Sequence, residues 1–262
     1  MIPVSADQRY LIAPLFKGWE ETMIWSCLQG CMGHAWTDSL PVPQSAQLHV
    51  GDFCFFAGKP EKMLAHHLPD FHASSLLLMI AREDDWWPLL QEAYPHGAFC
   101  TRYAFDKCSG CFDLDLLSHY AKSLPSGYSM RRIDRTLYRA ILQQDWCRDF
   151  CSQFSGWEQF KTHGAGFVAT LGDEICAGAS SYSFYNQGIE IEVDTKETHR
   201  RKGLAQACCA RLILDCLARG RYPSWDAANL ASVHLAQKLG YQISRAYKTF
   251  SVPLKIKNVC GR

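Results

Sequence analysis

The chain of 262 residues lacks several features that would assign it at once to a large class of proteins. No segment approaches the ~18 uninterrupted apolar residues that a membrane-spanning helix requires. The formal net charge is only +1, which argues against a general nucleic-acid-binding surface. We therefore expect neither a membrane nor a nucleic acid as a partner.

The N-terminal segment lacks the order of a secretion signal. Residues 1–16 read MIPVSADQRYLIAPLF, without a basic stretch followed by an apolar core. Export is not indicated, so we predict a cytoplasmic protein. The length suits two domains at roughly 100–200 residues each, and 48% hydrophobic with 20% charged residues is an ordinary globular composition.

The thirteen cysteines lack the pattern of a disulfide framework or of a zinc site. Their number is odd and they are scattered through apolar stretches, which is typical of reduced, buried thiols. Cys108-Ser-Gly-Cys111 is the only CxxC pair, and neither a second pair nor histidines follow at a matched spacing. Reduced thiols and no metal are therefore expected.

A domain boundary is predicted at Leu124-Pro-Ser-Gly127. The residues before it read as a mixed α/β unit, with a hairpin signal at Gly51-Asp52 and no recognisable catalytic motif. We predict an N-terminal α/β domain over residues 1–125 and a C-terminal domain over residues 126–262.

The C-terminal domain shows three extended segments in succession, at residues 166–171, 175–184 and 188–195. Turn residues separate them, which predicts an antiparallel meander. A long apolar helix follows. Only Gln206, Arg211, Asp215 and Arg219 interrupt it, and the last three form one polar stripe, so the helix is predicted to be buried against the sheet. The fold class is α/β (α+β).

A basic turn joins the last of these strands to the helix. Arg200, Arg201 and Lys202 precede Gly203, and the helix begins at once with Leu204-Ala-Gln206. A helix start offers unpaired N–H groups and partial positive charge, and glycine permits close approach of a ligand. The turn therefore predicts a pyrophosphate site. Neither G-x-G-x-x-G nor G-x-x-x-x-G-K-[ST] is present, so other common nucleotide sites are not expected.

Three acidic residues alternate along the preceding strand. Period-2 alternation places Glu190, Glu192 and Asp194 on one face. A carboxylate there could accept the proton of an attacking amine, directly or through water, so Glu190 or Glu192 is a candidate general base. The alternative is a solvated strand face without catalytic function.

Further along, the motif Arg200-x-x-Gly203-x-Ala205 is followed by Asn229-x-x-Ser232 and Leu239-Gly-Tyr241. This order resembles the GNAT superfamily of acyl-CoA-dependent acetyltransferases. The runs GIEIEVDT, HRRKGLA and WDAAN are similar to its zwittermicin A resistance-type subfamily. The resemblance is most specific over residues 164–250. It implies a GNAT fold in the C-terminal half, with a mixed, mainly antiparallel sheet flanked by helices, and acetyl-CoA as the cosubstrate.

The resemblance also implies roles for individual residues. Backbone amides of the basic turn would hold the pyrophosphate, and the end of the preceding strand would pair with pantetheine. The predicted coenzyme A contacts are Val193, Asp194, Thr195, Arg200, Arg201, Lys202, Gly203, Leu204, Ala205, Gln206, Asn229 and Ser232.

Many GNAT enzymes carry a tyrosine, as proton donor to the thiolate, where this chain has Ala236. That departure leaves Ser232, Tyr241 or water as candidate acids, with Glu190 and Glu192 as candidate bases. Asn229 is expected to order its loop rather than to transfer a proton.

Only one extended segment follows the last helix, where the family usually has two strands. We therefore expect the N-terminal domain to complete the sheet and to contribute to the acceptor pocket, as a degenerate GNAT-like unit. The expected activity is acetyl-CoA-dependent N-acetylation of a primary amine, on a small polar molecule such as an amino-containing antibiotic. A non-catalytic acyl-CoA sensor and a protein N-acetyltransferase are the alternatives. The oligomeric state is not readable from the sequence.

Overall fold

The computed structural model of the protein describes residues 1–68 and 75–254. The chain forms two compact units, an N-terminal unit of Met1–Arg102 with Tyr247–Arg262 and a C-terminal unit of Tyr103–Ala246. The predicted C-terminal domain of residues 126–262 ends with residues 255–262, which lie outside the described part. No helix within that part is long and apolar enough to cross a membrane.

The β-strands run in chain order as follows: β1 Ile2–Val4, β2 His34–Thr37, β3 Ser45–Val50, β4 Phe53–Gly58, β5 Leu76–Ala81, β6 Ala98–Phe105, β7 Tyr128–Arg132, β8 Gly166–Leu171, β9 Glu174–Tyr185, β10 Gly188–Thr195, β11 Tyr222–Ser224, β12 Asp226–Ala227 and β13 Ile243–Pro253.

The α-helices are α1 Thr22–Leu28, α2 Lys62–Ala65, α3 Trp87–Ala93, α4 Leu114–Lys122, α5 Arg135–Leu142, α6 Trp157–His163, α7 Leu204–Ala218 and α8 Leu230–Lys238. Short 3-10 turns cover Ala6–Leu11, Ala13–Phe16, Asp84–Trp86, Ser109–Cys111, Arg148–Phe150 and Glu197–His199.

Within the N-terminal unit, β1, β2, β3 and β4 pair in that order and antiparallel, and β5 then joins β4 in parallel. Residues 250–253 of β13 pair antiparallel with β5. The core of this unit includes Trp86 and Trp87, which anchor their helical segment. The Trp86 indole N–H donates to the Gly58 carbonyl at 2.9 Å, so its polar atom is paired inside the core.

The C-terminal unit has the same strand topology. Here β7, β8, β9 and β10 pair antiparallel in that order, and β11 joins β10 in parallel. In each unit, helical segments lie between the first two strands, and among the described residues one α-helix lies between the fourth strand and the fifth. The predicted meander of three antiparallel strands is thus confirmed in β8, β9 and β10. In addition, the two halves of the chain repeat one topology.

The long helix α7 is buried against the sheet of the C-terminal unit, as its apolar pattern predicts. Buried side chains along it include Leu212 and Ile213, and full burial of each stabilises the fold by roughly 1.5–3 kcal/mol. Its polar stripe forms ion pairs, since Asp215 contacts Arg132 at 2.9 Å and Arg219 at 3.0 Å.

The structure places the division between the units earlier than residue 125. Helix α4 packs against α7, so residues 103–125 belong to the C-terminal unit. Contacts of this kind join segments distant in sequence, and the composition of the Leu124–Gly127 turn does not reveal them.

The prediction of uniformly reduced thiols is wrong for one pair. Cys108 and Cys111 form a disulfide across a 3-10 turn. Eight of the ten free cysteines in the described residues are buried, as expected, whereas Cys31 is half-buried and Cys100 is exposed. Burial raises the pKa of Cys208, which lies inside α7, to about 12.

Candidate active site

The parallel strands β10 and β11 part after three paired residues. Their register covers residues 188–190 and 222–224. Beyond it, residues 191–195 of β10 stay paired with β9, while the chain turns at Trp225 and β12 pairs with β6. Among the residues that the structure describes, the β10 edge is therefore open beyond Glu190.

Hydrogen bonds on both sides of β10 fix which amides point to this edge. The Tyr222 N–H donates to Gln187 O at 2.8 Å on the β11 side, and the Lys196 N–H donates to Cys176 O at 2.9 Å on the β9 side. Amide groups alternate between the two neighbours of a strand. Odd-numbered residues, Val193 among them, therefore direct their N–H toward the open edge.

Thr195 shares this direction, but its N–H already donates to the carboxylate of Asp194 at 2.6 Å. A ligand that enters beyond the end of β11 would meet the Val193 amide as the available donor. The side chains of Val193, Asp194 and Thr195 are all partly exposed.

The basic turn before α7 has an unusual backbone. Arg201 (φ 65°) and Gly203 (φ 79°) are both left-handed, and Arg201 is the only non-glycine residue with positive φ in the described part of the chain. A Cβ built at Gly203 would meet no atom within 4 Å. The glycine is therefore required by its backbone angle, and the space in front of it is open. Left-handed backbone held at such a turn is typical of functional loops.

No side chain of the first turn of α7 accepts a hydrogen bond from the N–H groups at the start of this helix. Gly203 is the N-cap, no side chain caps the helix, and the first turn contains no acidic residue. The N–H groups of residues 204–206 have no intrahelical acceptor and lie at the positive end of a 15-residue helix. Ala205 and Gln206 are partly exposed, whereas the Leu204 side chain is buried.

Three exposed cations flank this helix start. Arg200 Nε donates to Thr195 O at 3.3 Å, and Lys202 Nζ donates to the Tyr128 hydroxyl at 3.1 Å. Arg201 lies between them and is also exposed. The predicted basic turn thus surrounds the helix start with positive charge.

The three predicted carboxylates do not share one environment. The register between β9 and β10 shifts between Glu190 and Ile191, where Tyr182 of β9 is the extra residue. Glu190 is only 3% exposed. Glu192 is partly exposed and lies opposite Ser180, whose hydroxyl donates to Phe150 O at 2.6 Å.

Glu190 and Asp194 also have different charged and ionisable neighbours. Burial, and in addition the charge of Glu190, raise the pKa of Tyr185, Tyr222 and Tyr241; for Tyr222 it is about 12. Burial and then Asp194 raise the pKa of Cys147 to about 12, next to the turn Arg148–Phe150. The extra residue of the bulge lies on β9, so alternation along β10 is kept and the three acids differ in their surroundings rather than in their face.

Two candidate acids have hydroxyl groups that already make hydrogen bonds. Tyr241 is buried and its hydroxyl donates to Pro223 O at 2.6 Å. Ser232 Oγ accepts from the Trp225 indole N–H at 3.1 Å, which leaves the serine proton available for another acceptor. Asn229 caps α8, since its Oδ1 accepts from Ser232 N at 3.0 Å.

Sequence reasoning did not identify two buried serines beside Glu190. Ser183 of β9 and Ser224 of β11 are its partners across the sheet, and both are fully buried. Neither Oγ has a hydrogen-bond partner among the described residues. Ser224 is the last residue of β11, so its hydroxyl lies where the strands part. Only the sheet register brings these residues to Glu190, and no sequence motif signals it.

In the N-terminal unit the corresponding strand edge is filled. The Gly58 N–H at the end of β4 donates to the Glu83 carboxylate at 3.1 Å, and Gly58 O accepts from Trp86. The following helix α2 has only four residues, and the Glu61 carboxylate caps its start by accepting from Met63 N at 3.0 Å. A phosphate would meet a carboxylate there.

Comparisons with known proteins agree with this geometry. A solved GCN5-related N-acetyltransferase-like protein from Streptococcus suis 89/1591 is 42% identical, with a TM-score of 0.88 over 94% of this chain and 98% of that chain. A tandem GNAT protein from the clavulanic acid biosynthesis pathway shares the fold at 13% identity, with a TM-score of 0.54 over 96% and 97% of the two chains.

The curated N-acetyltransferase YdfB of Bacillus subtilis (strain 168), itself uncharacterized, is 28% identical over 131 residues. That match spans 48% of this chain and about half (49%) of the relative. The GNAT acetyltransferase family matches residues 13–250, nearly the whole chain. The chain thus belongs to the GNAT acetyltransferase family, whose reaction is acyl transfer from acyl-CoA.

Proposed function

We propose that the protein transfers the acetyl group of acetyl-CoA to a primary amine of a small polar molecule. The observation that carries this proposal is the open edge of β10 directly before the uncapped, basic start of α7. An edge that donates backbone hydrogen bonds suits the amide-containing pantetheine arm, and a helix start suits a pyrophosphate.

In this proposal the diphosphate of coenzyme A lies against the turn of residues 200–206. Backbone N–H groups of residues 204–206 donate to its oxygens, and the three exposed cations of the turn supply long-range attraction. Pantetheine extends along Val193, Asp194 and Thr195, with Asn229 ordering the loop before α8. The Val193 N–H then donates to the thioester carbonyl, where negative charge develops in the transition state.

The reaction forms a C–N bond and breaks the C–S bond of the thioester. The amine attacks the carbonyl carbon and loses a proton to a carboxylate, and coenzyme A leaves as a thiolate. Glu192 suits the direct acceptance of this proton because it is partly exposed. Glu190 is buried, so its contact with the amine would pass through a water molecule.

The thiolate needs a proton or a hydrogen-bond donor. Ser232 is the better supported candidate, because its hydroxyl proton is available and it lies in the first turn of α8, where the helix dipole favours negative charge. Tyr241 is less suited, since its hydroxyl already donates to Pro223 O.

We further propose that the N-terminal unit is a degenerate GNAT-like unit that contributes to acceptor recognition. Its repeated topology supports the first part of this proposal. Similarity of the sequence to the zwittermicin A resistance-type subfamily favours an amino-containing antibiotic as the acceptor. A cytoplasmic location remains part of the proposal. Fold alone does not define a substrate.

Release of free thiol from acetyl-CoA, measured with a panel of amines, tests the proposed function. Turnover with one or more small polar amines, and a mass gain of one acetyl group on that amine, is the expected result. Binding of acetyl-CoA without turnover of any amine would favour the sensor alternative. A mass gain on a polypeptide but on no small amine would favour protein acetylation.

A further inference from the structure

A cluster of mixed donor atoms lies directly before the basic turn. Glu174, Cys176 and His199 bring one oxygen, one sulfur and one nitrogen within 4.8 Å of one another. We propose that these three side chains form a binding site for a transition-metal ion of the Zn²⁺ type. Water would complete a four-coordinate geometry, as in sites with three protein ligands.

The backbone positions the sulfur and the imidazole against each other. Pairing between β8 and β9 skips Cys176, and a bulge of this kind redirects the side chain that it carries. The Lys196 N–H donates to Cys176 O at 2.9 Å, and the His199 N–H donates to Lys196 O at 2.8 Å. The turn of Glu197–His199 is thereby fixed next to Cys176.

The histidine is oriented as a metal ligand usually is. Its Nδ1 lies 2.7 Å from the Tyr128 hydroxyl, and its Nε2 faces Glu174 at 3.5 Å. When Nδ1–H donates to Tyr128, Nε2 presents its lone pair to the cluster. Such a second hydrogen bond commonly fixes the tautomer and ring orientation of a ligating histidine.

The kind of donor selects the kind of ion. A thiolate, an imidazole and a carboxylate together suit Zn²⁺ and related ions, whereas Mg²⁺ and Ca²⁺ prefer oxygen ligands alone. Cys176 and His199 are buried, and Glu174 is exposed, so an ion could enter from the Glu174 side.

One cation already competes for this carboxylate. Lys196 Nζ lies 2.5 Å from Glu174 Oε1. A metal ion would displace this ammonium group or use the other carboxylate oxygen. Removal of the lysine charge should therefore strengthen metal binding, an effect that a purely structural ion-pair network would not produce.

The test is a titration of the full-length, chelator-treated protein with Co²⁺, without coenzyme A. Its readout is the thiolate-to-cobalt charge-transfer absorption. We expect the band to saturate at one equivalent and to be displaced by Zn²⁺. Substitution Cys176→Ser should abolish the band, and Tyr128→Phe should weaken binding about 10- to 100-fold, as is usual for partners of ligating histidines. Substitution Lys196→Met should tighten it.

The CxxC pair supplies the necessary control, because its thiols could also bind cobalt when reduced. The double variant Cys108→Ser/Cys111→Ser should keep the full band. Absence of the band in the unaltered protein, its persistence in Cys176→Ser, or its loss in the CxxC double variant would overturn the proposal. If Cys176→Ser does not fold, His199→Gln replaces it with the same expected outcome.

Discussion

Glu190 and Glu192 are separated by one residue, yet they differ in access to solvent. Glu190 lies between the buried hydroxyls of Ser183 and Ser224, whereas Glu192 lies on the strand segment that has left β11. A diffusing amine can therefore reach Glu192 more directly. The difference coincides with the end of β11 beside Glu190, and it separates two residues that the sequence pattern treats alike.

We predict that Glu192→Gln lowers kcat/KM for an accepted amine by about 10²- to 10⁴-fold near neutral pH, the range typical of a lost general base. The loss should shrink as the pH rises, because a larger fraction of the amine is then neutral without help. The measurement is a pH–rate profile of thiol release. The exposed Glu158 of α6 offers a matched control, and Glu158→Gln should leave the profile unchanged.

The same profiles should be recorded for Glu190→Gln. An effect of similar size there, without one at Glu192, would transfer the role of base to the buried carboxylate. Unchanged pH dependence in both variants would exclude either glutamate as the base.

At the level of single elements, β10 combines two functions on its two edges. One edge holds the strand to β9, and the other faces the gap that opens where β11 ends. Alternation of amide direction assigns Asp194 to the first edge and Val193 to the second. The Val193 N–H is therefore directed to the edge where a ligand would bind, whereas the Asp194 N–H contributes to the pairing with β9 that stabilises the sheet.

Proline substitution tests this division, because proline has no N–H to donate. We predict that Val193→Pro folds, since proline is tolerated where a strand faces no partner. Its kcat should fall about 10²- to 10³-fold through loss of the donor to the thioester carbonyl. Substitution Asp194→Pro should instead lower the melting temperature sharply, because it removes a bond to β9. Equal stability of both variants, or full activity of Val193→Pro, would contradict the assignment.

The elements differ in how far the sequence predicts them. Helix α7 and its polar stripe follow from local residue patterns, and the structure confirms them. The register shifts that skip Cys176 and Tyr182 do not, because a bulge depends on pairing with a strand distant in sequence. The surroundings of Glu190 and the Glu174–Cys176–His199 cluster were therefore not predictable from the sequence.

On the scale of the whole molecule, one strand topology occurs twice, but the edge of the fourth strand is open in one unit and occupied by side chains in the other. In the C-terminal unit the edge beyond Glu190 is open and α7 starts without a cap. In the N-terminal unit Glu83 and Trp86 fill the edge at Gly58, and the Glu61 carboxylate occupies the start of α2. In the sequence, the missing strand after the last helix and the family resemblance pointed to a GNAT-like N-terminal unit, and no residue motif did.

This contrast predicts one cofactor molecule per chain rather than two. A helix of one turn that is capped by its own carboxylate offers neither the dipole nor the free N–H groups of α7.

The central claim is that one acetyl-CoA binds per chain at the start of α7. Calorimetric titration with acetyl-CoA tests it most directly, on the unaltered protein and on the single variants Gly203→Ala and Gly220→Ala. Both glycines have positive φ with no atom within 4 Å of an added Cβ, and they lie at opposite ends of α7. Each substitution should cost about 1–2 kcal/mol of stability. We predict one acetyl-CoA per chain, at least about tenfold weaker binding in Gly203→Ala (a change of about 1.4 kcal/mol), and unchanged affinity in Gly220→Ala. Two molecules per chain, or equal affinity in both variants, would contradict the account.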